Sequence, residues 1–65
     1  MCLSTVYSLR DGEREQICKN IADIRVEDGE LVFTDIMGVS TVRKAAIERI
    51  DLTDNYVLIR EGQTK

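Results

Sequence analysis

The spacing of the glycines constrains this fold more than any other feature of the sequence. The chain has no proline, and its glycines lie at positions 12, 29, 38 and 62, between short segments that alternate or run apolar. Intervals of 17 and 9 residues between the interior glycines suit β-hairpins and leave little room for long helices. The sequence therefore predicts an all-β meander.

Two Asp-Gly pairs mark the tightest predicted turns. Residues 2–9 are rich in Thr, Val, Tyr and Leu and are predicted to form the first strand, which Asp11-Gly12 turns into a polar segment at 14–19. The charges of that segment are typical of an edge strand. Residues 21–27 and 30–35 flank Asp28-Gly29 and form the clearest predicted hairpin, whose turn requires a positive φ at its glycine.

The C-terminal third completes the predicted architecture. Residues 40–43 are expected to form a fifth strand and residues 56–60 a buried sixth, while the helical spacing of apolar residues predicts a single helical turn over 44–50. We therefore expect a small six-stranded SH3-like or Sm-like β-barrel with one short helical turn before the last strand, as a single domain over residues 1–65. The predicted core draws on Val6, Ile17, Ile24, Val26, Leu31, Phe33, Val42, Ile47, Ile50, Leu52 and Leu58, and on part of Val57 and Ile59.

Length and charge narrow the class of protein. A chain of 65 residues buries only about 60% of its unfolded surface, so a second subunit is an economical source of stability and a homodimer is expected. The net charge of −3 gives no broad attraction to phosphate, which argues against nucleic-acid binding as its role. The sequence lacks an apolar run of about 18 residues and a signal peptide, which predicts a cytoplasmic protein without a membrane span.

Cys2 has the most distinctive chemistry in the sequence. Initiator methionine is normally removed before a small residue, which would leave an amine and a thiol on Cys2 as a five-membered chelate. A deprotonated Leu3 amide would add a second ring, and planar nitrogen and sulfur donors suit square-planar Ni(II) or Cu(II). Two copies across a dimer axis would complete such a site.

Two other interpretations of the cysteines stay open. Cys2 and Cys18 from each of two chains could bind tetrahedral zinc. Alternatively, Cys2 is a small apolar residue beneath the first strand, and Cys18 is a half-buried core residue. A disulfide between them is expected only in air-oxidised protein.

Several sequence elements together resemble the CooT family over the whole chain. These are the Met1-Cys2 start that runs into a strand, the Asp-Gly turn that follows, and the C-terminal segments at 50–52 and 55–59. The resemblance implies a Ni(II)-binding, metallochaperone-like accessory protein that supports nickel insertion into carbon monoxide dehydrogenase. It further implies that Cys2 is the metal ligand, that Ni(II) is the cofactor, that one ion is shared by a homodimer, and that the dehydrogenase or its maturation proteins are the partners.

Other functions are weighed against this one. The chain has no histidine, and no serine or cysteine has an evident base beside it, so we expect that it is not an enzyme. One alternative is a small RNA-binding β-barrel, and another is an interaction module that binds no metal. In the RNA-binding alternative, basic side chains contact phosphates and aromatic rings stack on bases. Those residues would be Arg10, Arg14, Arg43, Lys44 and Arg49 with Tyr7, Phe33 and Tyr56.

Overall fold

The computed structural model describes residues 3–61, which form five β-strands. Within these residues there is no helix, and so none that is long and apolar enough to cross a membrane. The all-β prediction is confirmed. The strands are β1 (Ser4–Arg10), β2 (Glu13–Glu27), β3 (Glu30–Asp35), β4 (Ser40–Asp51) and β5 (Tyr56–Glu61).

The two Asp-Gly turns lie where the sequence predicts them. Asp11 and Gly12 have φ of 53° and 79°, and Asp28 and Gly29 have φ of 47° and 80°. Positive φ at both central residues defines the type I′ turn, whose twist matches the right-handed twist of the flanking strands. These turns join β1 to β2 and β2 to β3 as antiparallel hairpins.

The prediction of six strands is wrong, because the second and third predicted strands form one long strand and the structure has five. The first part of β2 pairs with β1 as far as Ile21, and the second part pairs with β3 from Ile21 onward. Asn20 lies between the two parts with φ of 58°, and the pairing register shifts on both sides of it. Such a bulge bends a strand without ending it.

The predicted helical turn at 44–50 is wrong, since these residues continue β4. Ile47 pairs with Ile59 and Ile50 pairs with Val57, with a register shift that leaves Glu48 as an extra residue. Paired residues lie on the same face of a sheet, so the bulge places two isoleucines three positions apart on one side. The spacing that suggested a helix is the spacing that a bulged strand produces.

Pairing between β1 and β5 closes the sheet into a ring. Strands β1 to β5 follow one another as antiparallel neighbours, and β1 then pairs with β5 in parallel. A meander with an odd number of strands ends in the direction in which it began, so this last pair must be parallel. The predicted closure of a single sheet is confirmed, while its assignment to the SH3-like or Sm-like type stays a prediction.

The core fills the inside of the ring and is smaller than predicted. Its buried cluster comprises Val6, Ile21, Leu31, Phe33, Val57 and Ile59. Ile21 was not among the predicted core residues. In contrast, Leu52 is 82% exposed and Val26 is 68% exposed, and Val42, Ile47 and Ile50 are exposed as well. The core prediction is wrong for these five side chains, because alternation shows which residues share a face but not whether a neighbouring strand covers that face.

A polar cluster lies beside the core where β1, β4 and β5 meet. Glu61 accepts a hydrogen bond from Arg10 at 3.2 Å and another from Arg43. Ser8, which is fully buried, also contributes to the environment of this carboxylate. Burial raises the pKa of Glu61, but the hydrogen bond and positive charge of Arg43, together with hydrogen bonding by Arg10 and Ser8, outweigh the effect of burial and hold the pKa below its usual value.

Replacement of this carboxylate should change how stability depends on pH. A lowered folded-state pKa means that Glu61 stabilises the fold above its unfolded pKa, and that this contribution is lost as pH falls through the folded pKa. We expect Glu61→Gln to lower the free energy of unfolding at pH 7 by about 1–2 kcal/mol. The difference from the unmodified chain should shrink below the ordinary carboxyl pKa of 4.5, as measured by urea unfolding over a pH series.

Glu27→Gln is the matched control, because Glu27 pairs with Arg25 at 3.7 Å and both side chains are more than half exposed. Exposed pairs of this kind contribute about 0–1 kcal/mol. Equal losses at pH 7 for the two variants, or an unchanged pH slope in Glu61→Gln, would refute the role assigned to Glu61.

Candidate functional site

The predicted metal ligand, Cys2, lies outside the described residues. The chain is tied into the ring from Ser4 onward, where Ser4 pairs with Ile21 of β2. Thr5 pairs with Tyr56 of β5, and its amide donates to the Asn55 carbonyl at 3.1 Å. From Thr5 onward, three residues after Cys2, β1 is therefore held on both sides by neighbouring strands.

A groove opens at the start of β1. It has a volume of about 270 Å³, and Ser4 forms part of its wall. Two of its apolar side chains, Ile50 at 52% and Leu52 at 82% exposure, remain largely in solvent. The complete lining consists of Ser4, Ile21, Ala22, Asp23, Ile24, Ile50, Leu52 and Val57.

Two turns present more apolar surface near this groove. The Asp51 carboxylate accepts from the amides of Thr53 at 3.1 Å and Asp54 at 2.9 Å, which fixes the turn that carries Leu52. The turn between β3 and β4 contains exposed Ile36, Met37 and Val39. The Ile36 amide donates to the Asn20 carbonyl at 3.0 Å, and this hydrogen bond places the turn beside the chain that enters the groove at Ile21.

Cys18 has the environment of a core residue. It pairs with Val6, is half-buried, and packs against the buried cluster. Burial raises the pKa of its thiol, with Asp35 adding to the effect and Arg43 opposing it. The prediction of a half-buried core cysteine is confirmed. Among residues 3–61, no group of three or more Cys, Asp or Glu side chains is arranged to hold a metal ion.

A second cluster lies on the outer face of β1 and β5. The rings of Tyr7 and Tyr56 are 5.9 Å apart at an interplanar angle of 81°, an edge-to-face arrangement. Arg14 approaches both rings, with its Cζ 4.7 Å from the Tyr56 centroid and 6.0 Å from that of Tyr7. Arg49 approaches Tyr56 at 5.8 Å and bonds Asp51 at 3.3 Å.

The structure brings only some of the residues predicted for RNA binding together. Phe33 is fully buried in the core, so it cannot stack on a base. Arg10 and Arg43 both bind Glu61. Tyr7, Tyr56, Arg14 and Arg49 are brought together, but they contact one another and do not line an extended basic groove.

The family model for CooT, described as a CO dehydrogenase accessory protein, matches residues 1–60. The chain belongs to the CooT family. The fold is also that of a protein assigned as CooT from Carboxydothermus hydrogenoformans, whose crystal structure aligns with a TM-score of 0.87. That alignment covers 95% of this chain and 100% of the other at 21% identity. None of the curated proteins is significantly similar to the chain.

Membership in the CooT family confirms the resemblance drawn from the sequence. The sequence assigned Ile50 and Leu52 to the core, and so missed that they form an exposed apolar surface in this CooT-family chain. One signal for the turn was available, since Asp51-Leu52-Thr53-Asp54 places an apolar residue among turn-forming polar ones.

Proposed function

We propose that this CooT-family chain is a Ni(II)-binding accessory protein that supplies nickel for carbon monoxide dehydrogenase. The observation that carries the proposal is the family match over residues 1–60, which includes Cys2. In this proposal the chain acts as a homodimer, Cys2 of each chain contributes donors to one shared ion, and the dehydrogenase or its maturation proteins receive the metal. Nickel is cargo, and the protein catalyses no reaction.

The donor chemistry of Cys2 supports nickel over the alternatives. With Met1 removed, the thiolate and the amine of one residue close a five-membered ring on the metal, and the Leu3 amide can close another. Soft sulfur beside nitrogen suits Ni(II) and Cu(II) in planar geometry. Loss of two protons costs about 3 kcal/mol at neutral pH, so affinity should rise with pH.

The surroundings of Cys18 argue against a zinc site shared by both cysteines. Its thiol packs against the core, and burial raises its pKa, which disfavours the thiolate that a metal requires. The described residues offer no ready-made group of three ligands. A complete donor set is therefore best supplied by two copies of the chain start.

The exposed apolar surface supports the homodimer. Ile50 and Leu52 line the groove that begins beside Ser4, two residues after Cys2, and the turn at 36–39 adds three more exposed apolar side chains nearby. Exposed apolar side chains gathered at a groove on so small a protein are typical of an interaction surface. A second copy that covers this patch by two-fold symmetry would place equivalent residues of the two chains near each other.

Nickel binding should depend on Cys2 and not on Cys18. We expect Ni(II) titration of the full chain to saturate at one ion per two chains, with sulfur-to-nickel charge-transfer absorption. Cys2→Ser should abolish that absorption and weaken binding by about 100-fold or more, since loss of outer-shell partners alone costs 10–100-fold. The measurement is absorption spectroscopy combined with calorimetry between pH 6 and 8.

Cys18→Ser is the matched control, because it makes the same atomic change at the other cysteine and should leave the spectrum and affinity unchanged. Intact-mass measurement of the same samples determines whether Met1 is removed. Nickel bound equally well by Cys2→Ser, or lost equally in Cys18→Ser, would rule out the proposed ligand.

The dimer should break when charge is placed in the groove. Leu52→Glu adds one buried carboxylate per chain, and each substitution occurs twice in a two-fold interface. Burial of an unpaired charge costs several kcal/mol, so we expect the dissociation constant of the dimer to rise by about 100-fold or more. Sedimentation velocity over a concentration series measures this change.

Val42→Glu is the control for a general effect of added charge. Val42 is 53% exposed on β4, and it does not line the groove. We expect it to leave the dimer intact. A monomeric unmodified chain, or equal dissociation of both variants, would show that the groove is not the interface.

A further inference from the structure

The arginines of the described chain differ in what their guanidinium groups contact. Five of the six arginines form an ion pair with a carboxylate within 4.0 Å. Arg14 is the exception among residues 3–61, since its Nη2 donates to the Tyr56 hydroxyl at 3.1 Å. Acidic residues outnumber basic ones in this protein, so an arginine without a carboxylate partner is unexpected. The paired arginines are Arg10, Arg25, Arg43, Arg49 and Arg60.

The two tyrosines hold Arg14 in a fixed position. Its guanidinium lies 4.7 Å from one ring centroid and 6.0 Å from the other, and the hydrogen bond to Tyr56 orients the plane. Cation–π contact and a hydrogen bond to the same ring system reduce the freedom of a flexible side chain. Tyr56 occupies one of five N–H donors of the guanidinium, so several donors remain for a ligand.

The Arg14 side chain also borders an open surface depression. An open depression of about 380 Å³ lies along the β1–β2 turn and is lined by Arg10, Asp11, Glu13, Arg14 and Glu15. The three carboxylates in this lining repel a long polyanion such as RNA. A single carboxylate can approach Arg14 from the side of the rings, where Tyr7 and Tyr56 provide apolar walls and the nearby Asp51 carboxylate is paired with Arg49.

We propose that Arg14, Tyr7 and Tyr56 form a docking site for an acidic side chain of a partner protein. A carboxylate accepts two parallel hydrogen bonds from a guanidinium, a geometry that an ammonium group cannot supply. The rings exclude water from the edges of this contact, which strengthens the charge-assisted hydrogen bonds. The partner surface is thus acidic at one point and apolar around it.

This docking site goes beyond the proposed function and does not depend on nickel. None of its three residues lines the groove assigned to the dimer. The proposal therefore stands or fails separately from metal binding by Cys2.

The two tyrosines of the site also provide its probe. The chain has two tyrosines and no tryptophan, so its intrinsic tyrosine fluorescence reports on this cluster alone. We would titrate the full chain at low ionic strength with a capped peptide that carries a single glutamate flanked by apolar residues. The glutamate peptide should give a saturable fluorescence change that salt weakens. The same peptide with glutamine in place of glutamate, and a hexamer of uridine, serve as the other arms.

Arg14→Gln should weaken binding of the glutamate peptide by at least roughly tenfold, because it removes the charge-assisted hydrogen bonds. Arg14→Lys should bind the glutamate peptide more weakly than the unmodified chain and more tightly than Arg14→Gln, since lysine keeps the charge and loses the planar fork. Arg25→Gln is the control, because it removes the same charge from an exposed arginine paired with Glu27. Equal urea midpoints for Arg14→Gln and Arg25→Gln would verify that folding is intact.

Four results would overturn the proposal. They are the absence of saturable binding, equal binding of the glutamine peptide, equal binding by Arg14→Gln and Arg25→Gln, and tighter binding of the uridine hexamer than of the glutamate peptide. The last result would assign the cluster to single-stranded nucleic acid instead of protein.

Discussion

Hydrogen bonds between β1 and β5 hold the two ends of the described chain together, and the other strands are arranged by this closure. Parallel strands usually require a long crossover connection, and here the whole meander provides it. The closure brings Val6 beside Val57 and Ser8 beside Ile59, so the inner face of the ring is continuous. It also leaves β1 paired on both sides, which fixes the backbone that follows Cys2.

Bulges let the two long strands curve around so small a core. Asn20 bends β2 where its pairing passes from β1 to β3, and Glu48 is an extra residue within the part of β4 that pairs with β5. An extra residue bends the strand that carries it and increases its twist. The curvature of β2 and β4 thus depends on residues that no pattern of apolar positions marks.

This dependence explains what the sequence could and could not predict. The Asp-Gly turns carry their own conformational signal and were located correctly. The six-strand and helical-turn predictions failed because a bulge interrupts period-two alternation and mimics either a strand break, as at Asn20, or helical spacing, as at Ile47 and Ile50. The exposure of Leu52 was missed although polar turn-forming residues flank it, since an exposed leucine has the same chemistry as one that covers the core.

The candidate metal ligand could be predicted from the chemistry of the sequence, whereas the surrounding surface could be described only from the fold. The cysteine at position 2 is visible in the sequence, and family membership supports the prediction that it is a metal ligand. The groove beside Ser4 and the cluster of Arg14 with two tyrosines arise from residues distant in sequence that the closed ring brings together. One surface is apolar and suits a second copy, whereas the other is cationic and aromatic and suits an acidic partner.

X-ray absorption at the nickel K-edge tests the central claim most directly, on protein loaded with one Ni(II) per two chains. The account predicts two sulfur neighbours for each nickel, one from Cys2 of each chain, with nitrogen donors completing a four-coordinate plane. A nickel surrounded only by oxygen and nitrogen, or bound to a single sulfur, would contradict the shared site.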